Sequence, residues 1–169
     1  MQVRFVILFV LINSLMMNVK ADVFKHHLSG ACVVPQKLEN NSPLIFDYDA
    51  CNPKTADKEK YANYIIEPTN EEDGSFYIKH KFTGFCIAPM SNSSEEKSLL
   101  ILSENCDSSF VRTPNGQGSI SLKGSEFVIS SSSFLPKHLN SIDHLVLYKP
   151  FKYMKTIKSQ IFYFSRLDG

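Results

Sequence analysis

The sequence has no tryptophan, and only seven glycines and eight prolines among its 169 residues. So little Gly and Pro excludes a collagen-like or low-complexity linker chain. With 43% hydrophobic and 21% charged residues the composition is that of an ordinary globular domain. An excess of basic charge is also missing. Lys and Arg number 18 against 17 Asp and Glu, a formal net charge of +1. With nothing to neutralise a phosphate backbone, nucleic acid is not expected as a main partner. The chain lacks C-x-x-C, H-E-x-x-H, G-x-S-x-G and P-loop frames, and with them the usual sequence signs of zinc, nucleophilic or phosphate chemistry. His26 and His27 are adjacent, so on a strand they point to opposite faces. His138 and His144 flank a short segment without a metal frame. A non-enzymatic protein with no cofactor and no metal is therefore expected.

Long apolar runs are absent except at the start, where Phe5–Val19 is apolar but for Asn and Ser. One basic residue precedes it, and Val19-Lys20-Ala21 supplies small residues where a signal peptidase reads. The expectation is a signal peptide over 1–21, cut before Asp22. Fifteen residues at 1.5 Å rise fall short of a bilayer core of about 30 Å. Without Arg4 and Lys20, 16 basic residues face 17 acidic ones. No later stretch approaches 18 apolar residues, so no membrane span is expected after the signal, and a secreted, extracellular monomer is.

Cysteines are few, and in an oxidising compartment Cys32, Cys51, Cys86 and Cys106 suggest two disulfides. Composition leaves all three connectivities open. The cysteines do, however, belong to a repeat. LSGACVV at 28–34 and FTGFCIA at 82–88 share Gly, one residue, Cys and two small apolar residues. Each leads into an apolar run and a second Cys, PLIFDYDAC at 43–51 and LLILSENC at 99–106. A copy without cysteine fits at 122–129, LKGSEFVI, placing Glu126 and Phe151 where the cysteines would stand. An aromatic residue then opens a short strand in each copy, at Tyr64, Phe110 and Phe162.

Short β-branched and aromatic runs bounded by Gly, Pro, Asn and Ser number twelve, and no segment keeps a 3.6-residue apolar period over eleven residues. Lys54–Tyr64 has room for a helical turn or two. A propeller needs at least four blades, and there are three units. The expected fold is all-β: one domain over 22–169, a β-trefoil with pseudo-threefold symmetry. Its repeats fall at about 22–73, 74–118 and 119–169, each of four short strands. Closure would pair Ile161–Ser165 with Val23–His27 and leave no free edge.

With G-x-C, an apolar run and a second Cys about 20 residues on, the chain resembles the ricin-B-type lectins. The resemblance implies a disulfide within each cysteine-bearing repeat, Cys32–Cys51 and Cys86–Cys106. The family's Q-x-W is reduced to Gln160-Ile161-Phe162 in repeat 3, and to Ala62-Asn63-Tyr64 and Ser108-Ser109-Phe110 in the others. The resemblance also implies a sugar-binding Asp two residues after the first Cys. Those positions are Val34, Ala88 and Val128, all apolar. Candidate ligand-binding residues are then Asp47, Tyr48 and Asp49 in repeat 1, and His144, Tyr148 and Gln160 in repeat 3. Carboxylate and amide groups bond sugar hydroxyls, and aromatic faces stack on the pyranose. The plainer alternative makes them solvent-facing strand and turn residues. Asn40 and Asn92 head N-x-S glycosylation sequons. Two function classes follow. One is a module binding a glycan weakly; the other is a β-trefoil binding a secreted or cell-surface protein through its loops, as an inhibitor, toxin component or effector does.

Overall fold

The computed structural model describes residues 22–51, 60–90, 95–113, 118–133, 139, 142–151 and 160–165. The expected signal segment 1–21, the Asn92 sequon and His138 lie outside these residues. In chain order the strands are β1 (Asp22–His26), β2 (Cys32–Pro35), β3 (Leu44–Asp47), β4 (Asn63–Pro68), β5 (Phe76–His80), β6 (Cys86–Pro89), β7 (Leu100–Ser103), β8 (Phe110–Arg112), β9 (Ile120–Leu122), β10 (Val128–Ser131), β11 (Leu145–Tyr148) and β12 (Phe162–Ser165). All twelve coincide with the apolar runs of the sequence. Alternation shows directly in β5, where Phe76, Ile78 and His80 face inward while Tyr77 and Lys79 do not. A 3-10 turn covers Asp49–Cys51, and 60–62 form the described part of a helical turn.

Six strands make the barrel. β1 pairs β4, β4 pairs β5, β5 pairs β8, β8 pairs β9, and β12 returns to β1 with His26 opposite Phe162. Between the β9 entry and β12 the Phe162 N–H donates to Gly118 O at 3.3 Å. The other six strands form the hairpins β2–β3, β6–β7 and β10–β11. Isolated bridges Pro43↔Ile101, Leu99↔Val146 and Ile45↔His144 join the three hairpins in a ring. This is a β-trefoil.

The threefold relation extends to single atoms. His27, Lys81 and Lys123 each donate a backbone N–H, at 2.9 Å, to the carbonyl of Ile161, Asn63 and Ser109 respectively. The residue after each acceptor is the buried aromatic of its repeat: Phe162, Tyr64 and Phe110, opposite His26, His80 and Leu122. These aromatics share one core cluster with Phe24, Phe46, Ile78, Ile87, Leu102, Ile129 and Leu147. Aromatic mass thus fills the position of the missing tryptophans. Phe24 stacks on Phe164 at 4.6 Å and lies 5.3 Å from Phe162.

The first two repeats share a turn chemistry. His26 Nδ1 lies 2.9 Å from Ser29 Oγ, and Ala31 N–H donates to Ser29 Oγ. His80 Nδ1 lies 3.0 Å from Thr83 Oγ1, and Phe85 N–H donates to Thr83 Oγ1. Gly84 completes the second turn at φ +76°, where a Cβ is disfavoured.

The third repeat corrects one expectation. Cys32 lies opposite Asp47, Cys86 opposite Ser103 and Val128 opposite Tyr148. Val128, rather than Glu126, therefore holds the cysteine position, and Ser130 is the counterpart of Val34 and Ala88. The slip of two residues has a cause. The β9–β10 turn has the length of the others but puts its left-handed glycine at Gly124, two positions earlier, while Ser125 takes the place of Ser29 and Thr83. Aligning on glycine misplaces the copy. Disulfides join Cys32 to Cys51 and Cys86 to Cys106, one inside each of the first two repeats.

Candidate functional site

Repeat 1 carries a cavity of about 220 Å³ between the β2–β3 hairpin and the chain entering β4. It is lined by Val34, Pro35, Gln36, Ile45, Asp47, Ala50 and Tyr61. Asp47 ends β3, where its Oδ1 caps the following 3-10 turn by accepting the N–H of Asp49 at 2.7 Å and of Ala50 at 3.2 Å. The same two bonds fix the direction of the carboxylate on the wall. Tyr61 packs against the small cluster of Val23, Cys32, Val34, Ala50 and Ala62. Lys60 Nζ lies 5.6 Å from its ring centre. The Cys32–Cys51 bridge holds the 3-10 turn to β2. The site thus offers one oriented carboxylate, one amide, one phenol and an apolar floor.

Of the expected site residues, only Asp47 lines this cavity. Tyr48 and Asp49 are exposed on the turn beside it. The repeat 3 candidates His144, Tyr148 and Gln160 line neither of the two hollows described among these residues. Gln160 is 2% exposed, donating from Nε2 to Lys149 O and accepting the Phe151 N–H at Oε1, both at 2.9 Å. It clips the loop after β11, with both ends of its amide engaged by the backbone. Tyr148 rests against Phe151, ring centres 5.5 Å apart, with Lys97 Nζ 6.0 Å away. His144 accepts the Ser132 N–H at its carbonyl and donates its own backbone N–H to Ser132 Oγ, both at 2.8 Å, and it bridges to Ile45. Val34 and Ala88, at the family's Asp positions, are 4% and 2% exposed. Tyr61 was not singled out in the sequence. The signal available was its place three residues before Tyr64, next to the degraded Q-x-W.

A second, more open cleft of about 430 Å³ is lined by Glu71, Pro89, Asp107, Ser108, Ser109, Leu122, Lys123 and Gly124. Lys123 pairs with Glu71 and, at 2.8 Å, with Asp73. These contacts hold the Asp73 carboxyl down at about 2 and raise the Lys123 ammonium above its ordinary value. They tie the β4–β5 turn to the β9–β10 turn. Elsewhere, burial pushes the Tyr64 phenol far above its ordinary range and the His80 imidazole below its own. Among the described residues no group of His, Cys, Asp and Glu is placed to hold a metal ion.

No protein-family model and no curated protein sequence matches the chain. Solved structures do. The designed threefold-symmetric protein ThreeFoil superposes with a TM-score of 0.66 at 8% identity, over 86% of this chain and 97% of that one. A ricin B-like lectin of Macrolepiota procera, solved with lactose, gives 0.62 at 9% identity, over 88% and 96%. The fold is the ricin-B-type β-trefoil. A cytolethal distending toxin chain from Actinobacillus actinomycetemcomitans shares this trefoil at 0.61 and 14% identity, over 86% and 90%. Within the ricin-B-type frame, the repeat 1 cavity sits on the β2–β3 hairpin with Val34 where an Asp is expected. Its carboxylate comes from Asp47 instead.

Proposed function

We propose that the protein is a secreted, non-enzymatic module that binds one sugar ring in the repeat 1 cavity. The observation carrying this reading is the meeting of Asp47, Gln36 and Tyr61 around a hollow of about 220 Å³, below the roughly 300–1,000 Å³ of drug-sized ligand sites. An oriented carboxylate accepts sugar hydroxyls, and a tyrosine gives stacking area together with a polar tip. The two disulfides fit an extracellular location, and no helix among the described residues is long and apolar enough to cross a membrane. Binding is weak. A monosaccharide site near 1 mM amounts to about 4 kcal/mol, and this one lacks the second carboxylate at Val34. NMR titration with galactose, N-acetylgalactosamine and mannose tests the reading. Shifts confined to Gln36, Asp47 and Tyr61 are expected. Asp47→Asn keeps the turn cap but replaces a charge-assisted bond, and it weakens binding about tenfold or more. Absence of any shift at tens of millimolar sugar overturns the reading.

A second reading rests on a different observation. Phe82, Met90 and Ile142 stand out of their loops at 66%, 54% and 77% exposure. Side chains of this kind anchor protein interfaces. A protein target bound through these loops, without sugar, is the reading that a silent titration supports.

A further inference from the structure

We infer that Asn40 is an N-glycan acceptor, modified before the fold closes, whose linkage the folded protein accommodates without losing a hydrogen bond. The inference rests on the extracellular reading above. Asn40-Asn41-Ser42 is an N-x-S frame in the connection between β2 and β3. Among the described residues both hydrogen bonds of the Asn40 side chain are made by its oxygen. Oδ1 accepts the N–H of Asn41 at 3.0 Å and of Glu104 at 3.1 Å, and the second contact ties repeat 1 to repeat 2. Asn40 is half-buried, and among the described residues its Nδ2 has no hydrogen-bond partner and is not enclosed. Glycosyl transfer engages that nitrogen alone. Nδ2 bonds to the anomeric carbon of a lipid-diphosphate-linked oligosaccharide and gives up one proton. The carbon–oxygen bond to the diphosphate breaks, and the diphosphate leaves with the electron pair. The carbonyl oxygen, with both of its backbone partners, is untouched.

The rest of the sequon points to the order of events. Ser42 is 4% exposed, and its Oγ accepts the Lys37 N–H at 2.8 Å. Its carbonyl accepts the Leu102 N–H at 2.9 Å, and the Asn41 N–H donates to Leu102 O at 2.8 Å. The hydroxyl that marks the frame for a transferase is thus turned inward once this turn docks on β7. Modification therefore precedes docking.

The test uses the full chain in a eukaryotic secretory host, once with its own N-terminal segment and once behind a heterologous secretion signal. Peptide mapping after peptide-N-glycosidase, which leaves Asp at each released site, distinguishes Asn40 from Asn92. Conversion at Asn40 in the heterologous arm is expected, and secreted protein with Asn40 unmodified overturns the inference. Failure of the chain's own segment to direct secretion overturns the extracellular reading alone, since the other arm still presents Asn40. The order is tested with unglycosylated chain from a bacterial host, offered to a microsomal oligosaccharyltransferase and its lipid-linked donor. Labelling of the reduced, unfolded chain and not of the folded one is expected. Equal labelling of both overturns it.

Discussion

Phe162 touches the core from three sides, with ring centres 5.3 Å from Phe24, 5.1 Å from His26 and 6.4 Å from Phe46. Truncating a buried Phe to Ala costs about 3–5 kcal/mol, and urea unfolding of Phe162→Ala should show a loss of that size. His80 contributes a pH dependence. Its imidazole is held below its ordinary value chiefly by burial, while the nearby Lys60 and Tyr61 carbonyls pull the other way without closing a hydrogen bond to Nε2. The unfolded chain, titrating near 6.5 at this residue, then binds more protons than the native one, so stability rises with pH. His80 stabilises fully above about pH 6.5, and that stability is lost as pH falls through the lower native value. His80→Asn keeps an acceptor for the Thr83 N–H and removes the titration. The Tm of the variant should fall less than that of the parent between pH 7 and 5. The sequence was informative about Phe162, because an aromatic opening a strand in each copy signals a core position. It was misleading about Gln160, since an amide used to clip a loop and an amide aimed at a ligand look the same in one dimension.

Among the elements, the two disulfides and the β1–β2 and β5–β6 turns set the character of repeats 1 and 2. Each bridge spans 19 or 20 residues, and closing such a loop stabilises by about 3 kcal/mol in the chain-entropy account. Non-reducing peptide mapping should return Cys32–Cys51 and Cys86–Cys106, and reduction should lower the Tm by many degrees. At Gly84 an added Cβ meets nothing within 4 Å. Gly84→Ala therefore isolates the backbone cost of φ +76°, an expected loss of about 1–2 kcal/mol in thermal or urea unfolding. Strand positions were legible because each strand is a β-branched or aromatic run between turn residues. The register of repeat 3 was not. Without cysteines only Gly124 marked it, and that glycine serves a different turn from Gly30 and Gly84. The cavity was half legible. Asp47 ends a strand in an apolar run, whereas Tyr61 reaches the same hollow from a helical turn fourteen residues later.

At the scale of the molecule, three copies of one unit hold together through contacts that no copy can make alone. The barrel needs β4 on both β1 and β5, and the ring of hairpins needs all three bridges. Threefold architecture was therefore visible from the count of units, while the site was visible only in part, because the copies diverge where ligands would sit. The pairing of β1 with β12 has a kinetic side. Phe24 meets Phe164 across 140 positions of chain, so the barrel seam cannot form until nearly the whole chain has been synthesised, and loops that long are slow to close. During synthesis the two disulfide-bearing repeats are exposed with β1 lacking its neighbour on one side. An open strand edge of this kind is where chains associate with one another. Refolding yield should accordingly fall with protein concentration. A circular permutant that links 165 to 22 through a short peptide and opens the chain between repeats should refold faster, because its seam becomes a local hairpin.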